Sequence, residues 1–311
     1  MVTLSLAPLA GFTDAPFRRL CKDGGADETY TEMVSAAALY HGHAATRFLL
    51  ETLSGEGRPV CQIFGAKDEE VAFAAREIDR AYPGRFSALN LNAGGPMQKV
   101  TRSGAGAALA TDPAKVHRLL VAMKENTSLP VTLKTRLGPN PACDTAAELL
   151  GAAEGAGAAL VIFHARYTSQ LHGGPVHLER LAELVSRSRI PIVGNGSVRD
   201  PASLAAMAST GVAGVMIGRA ALADPWIFSR LKSQAASLPP PDLPQAHIKY
   251  LLEFHALVAA KNPPWRMPTA DAYAALKLRT HIFRYFAGRP GAAAIRARIN
   301  SVKSIADFKG L

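Results

Sequence analysis

Short apolar runs in this chain end, one after another, in residues able to do chemistry. Gln62 lies within the run at 60–64, Asn90 and Asn92 within 88–92, Lys134 and Arg136 at the end of 131–135, and His164 and Arg166 at the end of 160–164. Two later runs end in the glycine-rich turns Gly194-Asn195-Gly196 and Gly218-Arg219, and the first leads into Ala7-Pro8-Leu9-Ala10-Gly11. Taken singly, each has a plain structural use: Gln62 can satisfy a backbone amide, Lys134 can pair with an acid, and His164 can be a hydrogen-bonded core histidine. Together, these ends exceed what folding alone requires. The two glycine turns indicate the ligand, because glycine lets backbone N–H groups close on a phosphate, and Arg219 adds a cation beside them. This set predicts a phosphate-bearing cofactor.

These ends converge only if the runs are strands of one sheet. Runs at 4–6, 29–33, 60–64, 88–92, 131–135, 160–164, 190–193 and 214–217 read as eight strands, each followed by a polar turn and an Ala- and Leu-rich amphipathic stretch. Asp112-Pro113 and Asp200-Pro201 carry the acid-then-proline signature of a helix start, while Gly24-Gly25 and the Gly155, Gly157 pair sit where helices should stop. Eight alternating units predict an α/β protein, a closed parallel (β/α)8 TIM barrel over 1–236 with its site at the C-terminal strand ends. An open, doubly wound sheet is the alternative. The proline-dense stretch from Ser237 to Pro244 reads as a stiff connector. Beyond it, helical periodicity at 246–260, 270–286 and 292–300 predicts a C-terminal helical bundle domain over 245–311.

With 48% hydrophobic and 19% charged residues, the composition is that of a globular enzyme and not of a disordered or fibrous chain. No apolar run reaches the roughly 20 residues of a membrane span, and the chain opens in a strand-like stretch with no basic leader, so a cytoplasmic location without membrane contact is expected. Cys21, Cys61 and Cys143 are odd in number and widely spaced, which excludes a disulfide framework and a CxxC metal site. The formal charge of +10 is uneven: from His247 to Leu311 there are eleven Lys and Arg against three acids. A basic tail predicts a polyanionic partner, although a merely solvated basic surface has the same composition. Nothing in the chain calls for an obligate protein partner.

At this point the motifs resemble those of the tRNA-dihydrouridine synthases, FMN-dependent barrel enzymes. The resemblance is carried by Leu6-Ala7-Pro8-Leu9-Ala10-Gly11-Phe12-Thr13-Asp14, Thr31-Glu32-Met33, Gln62-Ile63-Phe64-Gly65 and, above all, Leu91-Asn92-Ala93-Gly94-Gly95-Pro96-Met97-Gln98-Lys99-Val100. Lys134-Thr135-Arg136-Leu137-Gly138, His164-Ala165-Arg166, Gly194-Asn195-Gly196 and Met216-Ile217-Gly218-Arg219 follow in order. In the tail, Lys277-Leu278-Arg279-Thr280-His281, Tyr285-Phe286 and Pro290-Gly291-Ala292 are similar to the family's helical tRNA-binding domain. The resemblance implies FMN across the barrel mouth, with Pro8, Leu9, Ala10 and Gln62 near the ring and Lys134 beside its N1 and O2 edge. It places His164, Asn195, Gly196, Gly218 and Arg219 at the ribityl phosphate. Asn92, Lys99 and Arg166 would face an extruded uracil, and Lys277, Arg279 and His281 would meet tRNA. NAD(P)H would be the reductant.

One departure bears on the chemistry. The family's acid is a cysteine in Asn-x-Gly-Cys-Pro, and here the matching residue is Gly95, which has no proton to give. A positioned general acid contributes about 10²- to 10⁴-fold in rate. Of the thiols, only Cys143, on the loop after the fifth strand, is placed to stand in. Cys21 is expected to pack on the first helix, and Cys61, next to Gln62 on its strand, to point the other way. Ser197 stands where the family usually has an acid. Three readings follow: a uridine-reducing enzyme with another acid, a catalytically impaired homologue that keeps flavin and tRNA binding, or an FMN oxidoreductase on another substrate. The basic tail favours the first two.

Overall fold

The computed structural model describes residues 2–233, 242–286 and 297–308. Nine parallel strands form one sheet in the order β2-β1-β9-β8-β7-β6-β5-β4-β3. They are β1 (Thr3–Leu6), β2 (Glu28–Thr29), β3 (Val34–Ser35), β4 (Val60–Phe64), β5 (Ala88–Ala93), β6 (Val131–Arg136), β7 (Val161–His164), β8 (Ile192–Asn195) and β9 (Gly214–Ile217). The second expected strand, 29–33, is thus divided in two. Its first part pairs with β1 and its last with β4, and a parallel bridge from Tyr30 to Val60 joins the two edges. The sheet therefore closes as the expected barrel, not as an open doubly wound sheet.

Alternation with period two sorts the side chains of each strand. Ala7, Tyr30, Val60, Ala88, Ile162 and Met216 pack with one another inside the barrel. A much larger apolar cluster, including Leu89, Leu91, Leu133 and Phe163, fills the layer between strands and outer helices. The helix starts form as their caps dictate: Asp112 accepts from the Lys115 N–H at 2.9 Å, and Asp200 from that of Ser203 at 2.8 Å. Each is followed by a proline, whose missing N–H costs nothing in a first turn.

In the tail the helix Leu243–Ala259 starts earlier than expected, because Asp242 caps it at Gln245 and Pro244 falls within its first turn. The remainder of the proline connector, 237–241, and the expected helix at 292–300, apart from its last residues, lie outside the described residues. A second helix, Ala270–Tyr285, packs on the first, and both rest on the barrel helix Ala15–Asp23. Among the described residues, no helix is long and apolar enough to cross a membrane.

Candidate functional site

A cavity of about 730 Å³ opens at the C-terminal ends of the strands, within the roughly 300–1,000 Å³ range of small-molecule and cofactor sites. Its floor is a ladder of amides. Gln62 Nε2 donates to Asn90 Oδ1 at 2.7 Å, Asn90 Nδ2 to Thr132 Oγ1 at 2.8 Å, and Asn92 Nδ2 to Gln62 Oε1 at 3.0 Å. These side chains point inward together because β4, β5 and β6 pair with Gln62 opposite Asn90 and Asn92 opposite Lys134. Asn92 also accepts from the Gly94 and Gly95 N–H groups at 3.1 and 2.8 Å, so it fixes the turn that follows β5.

Lys134 rises from this floor and donates to Asn195 Oδ1 at 3.2 Å. Burial, reinforced by Arg136, pushes its ammonium down to about 7. His164 stands opposite Asn195 in register, and burial together with Lys134 and Arg136 holds its imidazole far below the ordinary histidine range. Its Nδ1 is buried without a partner. Lys134, Arg136, Arg199 and Arg219 all line the cavity, against Asp200 as the one lining acid among the described residues. Asp200 is itself engaged in capping its helix. The wall is therefore cationic, and it offers an unpaired polar group to whatever binds.

Most residues expected at the site are brought together here. Pro8, Leu9 and Ala10 line it beside Gly218 and Arg219, and Asn195, Gly196 and His164 continue the lining on the next strands, because β1, β9, β8 and β7 are successive neighbours in the sheet. A Cβ placed on Gly218 would meet only Ala7 and Leu9, at 3.6 and 3.9 Å, so packing does not demand glycine there and the bare backbone keeps the wall open. Gly95 also lines the cavity, as do Asn92, Gln62 and Lys134.

Other expected residues lie away from the cavity. Arg166 is 4% exposed and does not line the cavity. Two of its nitrogens donate to the Gly174 carbonyl at 3.1 and 2.7 Å, and one also to Ser197 Oγ at 2.6 Å, so it ties the loop after β7 to the turn after β8. Lys99 is exposed on the short helix Gln98–Thr101, outside the cavity. In the tail, Lys277 pairs with Asp14 at 3.6 Å and Arg279 is half-buried. His281 is 2% exposed, its ring packed on Phe17 with centroids 4.7 Å apart and edge-on to Phe12 at 5.5 Å. A ring buried between the tail and the barrel cannot reach RNA. Cys143 is exposed but does not line the cavity, while Cys21 and Cys61 are buried.

The structure adds residues not singled out as site residues from the sequence. Arg136 lines the cavity and binds the Gly94 carbonyl at 2.9 Å, which its place two residues beyond Lys134 on an inward-facing strand signals. His172 and Met97 also line it, from loops where no periodicity marks a side chain's direction.

Comparisons with known proteins agree with this architecture. Among solved structures, a mutant of morphinone reductase in complex with tetrahydroNAD superposes with a TM-score of 0.55 at 13% identity, covering 79% of this chain and 90% of that one. Histamine dehydrogenase from Rhizobium sp. 4-9 does so with a TM-score of 0.56 at 12% identity over 74% of this chain, which spans 45% of that longer protein. Both establish the fold. In sequence, a probable tRNA-dihydrouridine synthase of Mycobacterium tuberculosis is 33% identical over 96% of this chain and 78% of its own length. The tRNA-dihydrouridine synthase B of Pseudomonas putida is 32% identical over 96% and 87% respectively. The family model described as dihydrouridine synthase matches residues 5–310. With that match running almost end to end over a closed barrel and a polar mouth, the chain belongs to the dihydrouridine synthase family.

Proposed function

We infer that this protein is an FMN-dependent oxidoreductase that reduces uridine in tRNA to 5,6-dihydrouridine, with NAD(P)H as the source of electrons. The observation that carries this reading is the cationic cavity at the strand ends of a chain that matches the family along nearly its whole length. The lining suits FMN: an anionic phosphate answers the excess of cations, and the unpaired Nδ1 of His164 awaits a hydrogen-bond partner. Asn195, Gly196, Gly218, Arg219 and His164 would hold the phosphate end, and Pro8, Leu9, Ala10 and Gln62 the ring. When bound, FMN supplies hydride to one carbon of the uracil double bond.

The remaining work falls to the protein's own groups. Lys134 would place a cation beside the ring's N1 and O2 edge, where negative charge collects on reduction. Asn92, lining the cavity from its floor, fixes the turn through Gly95, beside which an extruded base would be read. The barrel over 1–236 carries the chemistry, and the segment 245–311 carries tRNA binding through Lys277, Arg279 and its other cations. The helix Ala270–Tyr285 touches the first loop of the mouth: Arg284 lies 4.4 Å over the Phe12 ring, four residues beyond Pro8. That contact brings the basic tail next to the barrel mouth, where both could meet one polyanion. A tRNA substrate agrees with the cytoplasmic location expected from the sequence.

Mass-spectrometric mapping of dihydrouridine in tRNA from a strain lacking the gene tests this reading. Loss at a defined site is the expected result, and unchanged content would overturn it. The purified protein should be yellow, and Lys134→Ala should weaken its hold on flavin. Gly95→Cys restores the family's acid, and a rate gain on the order of 10²-fold is expected.

A further inference from the structure

Saturating the uracil double bond adds a hydride to one carbon and a proton to its neighbour, and Gly95 has no side chain to supply the proton. The cavity lining narrows the source. Arg136 is committed to the Gly94 and Tyr167 carbonyls, and a guanidinium keeps its protons at neutral pH. Asp200 is spent on capping its helix, and the hydroxyls of Ser197 and Ser203 are far too weak as acids. His164 is held neutral deep in the wall. Lys134 is bound to Asn195 on the floor, where its charge serves the cofactor.

His172 remains. It lies on the loop after β7, exposed at the rim and lining the same cavity as Gly95, Asn92 and Met97. Its ring stands edge-on to His164 with centroids 6.3 Å apart. Arg219 fixes its backbone by donating to its carbonyl at 3.1 Å. Resting on the functional reading above, we propose that His172 is the general acid of this protein, its imidazolium giving the proton that completes reduction of the uracil. In that step an imidazolium N–H bond breaks and a C–H bond forms at the carbon beside the one that receives hydride. The two electrons come from the reduced flavin, replenished by NAD(P)H. The neutral imidazole left behind recovers its proton from water at the open rim.

The charges around the ring make the acid dependent on substrate. His172 is faced by Lys134 and Arg136 from β6, His164 from β7, Arg166 from the loop beyond it and Arg219 after β9, with Asp200 the lining acid. Partial burial and these cations hold its pKa below the ordinary histidine value. The flavin phosphate offsets part of this charge and the phosphates of a bound RNA offset more, so RNA binding to the flavin-loaded protein should add to proton uptake by the ring near neutral pH.

The test uses full-length, flavin-loaded protein reduced with NADPH and mixed with unmodified tRNA in a single turnover. His172→Ala and His172→Gln should slow dihydrouridine formation about 10²-fold while flavin reduction by NADPH is unchanged, and added imidazole should restore part of the rate to the alanine variant. Calorimetry in two buffers of different ionisation heat should show proton uptake on tRNA binding to wild type and none with His172→Gln. Variants that match wild type in both rate and proton uptake would overturn the role of His172 and leave the family activity standing. A wild type that makes no dihydrouridine while Gly95→Cys does would equally overturn it. If neither makes any, the functional reading fails and the proposal falls with it.

Discussion

At the scale of single residues, the departure at Ser197 has an energetic signature as clear as the one at Gly95. Arg166 is buried behind the cavity wall, and burial, with Arg219 nearby, lowers its pKa from the ordinary arginine value. Among the described residues its one side-chain hydrogen-bond partner is the neutral Ser197 hydroxyl, and its Nη1 is buried with no partner. A buried guanidinium without a carboxylate is costly, and hydrogen bonds to charged groups contribute about 1.5–3 kcal/mol. Ser197 also sits at φ +58°, a left-handed conformation that aspartate adopts more readily than most residues. Ser197→Asp is therefore expected to stabilise the fold by about 1–2 kcal/mol and raise Tm by a few degrees. Thermal melts of the two proteins measure this, and a lower Tm would show that the wall has no room for the acid.

At the scale of elements, the turn after β5 holds two adjacent glycines with different reasons to be there. A Cβ on Gly94 would lie 3.1 Å from the carbonyl carbon of Thr135 in β6, and strand backbone cannot give way. A Cβ on Gly95 would come within 3.2 and 3.3 Å of the Asn92 amide, a side-chain end that can shift more readily than backbone, although it is itself hydrogen-bonded to this turn. Gly94→Ala should then cost about 1–3 kcal/mol and loosen flavin binding, while Gly95→Ala should cost less of both. Chemical denaturation and flavin titration of the pair give the contrast. The same local logic explains what could be read from the sequence. The strands at 60–64 and 214–217 match their runs because each is a short, mainly apolar stretch, the first interrupted only by Gln62. The second strand breaks because Glu32 turns aside to accept the Gly11 N–H and Thr31 Oγ1 accepts from the Gln62 N–H, tertiary bonds that no periodicity encodes. Gln62, Asn92, Lys134 and His164, singled out by their place in the runs, all line the cavity. Arg166 lies two residues past the end of β7, where alternation no longer holds, and His172 sits on a loop that has none.

At the scale of the whole molecule, tail and barrel are joined by rings that must stay uncharged. His247 is fully buried between the helices Leu243–Ala259 and Ala15–Asp23, and its Nδ1 is 2.8 Å from the Tyr285 hydroxyl. Burial pushes its pKa down to about 4, and burial together with His247 holds His281 well below the ordinary value. In the unfolded chain both imidazoles take up protons near pH 6.5. Between that value and about 4 for His247, the unfolded state binds more protons than the folded one, so stability present above pH 6.5 is lost as the pH falls. The slope is up to about 1.4 kcal/mol per pH unit for each ring. His247→Gln removes one titrating group while keeping a polar atom near Tyr285, and the fall in Tm from pH 7 to pH 5 should be clearly shallower for the variant than for wild type. Equal slopes would mean that the rings are already hydrated or paired in the folded protein, and that acid acts elsewhere. A shallower slope would place an acid-sensitive joint at the seam between the basic tail and the barrel, where protonating a buried ring works against their packing.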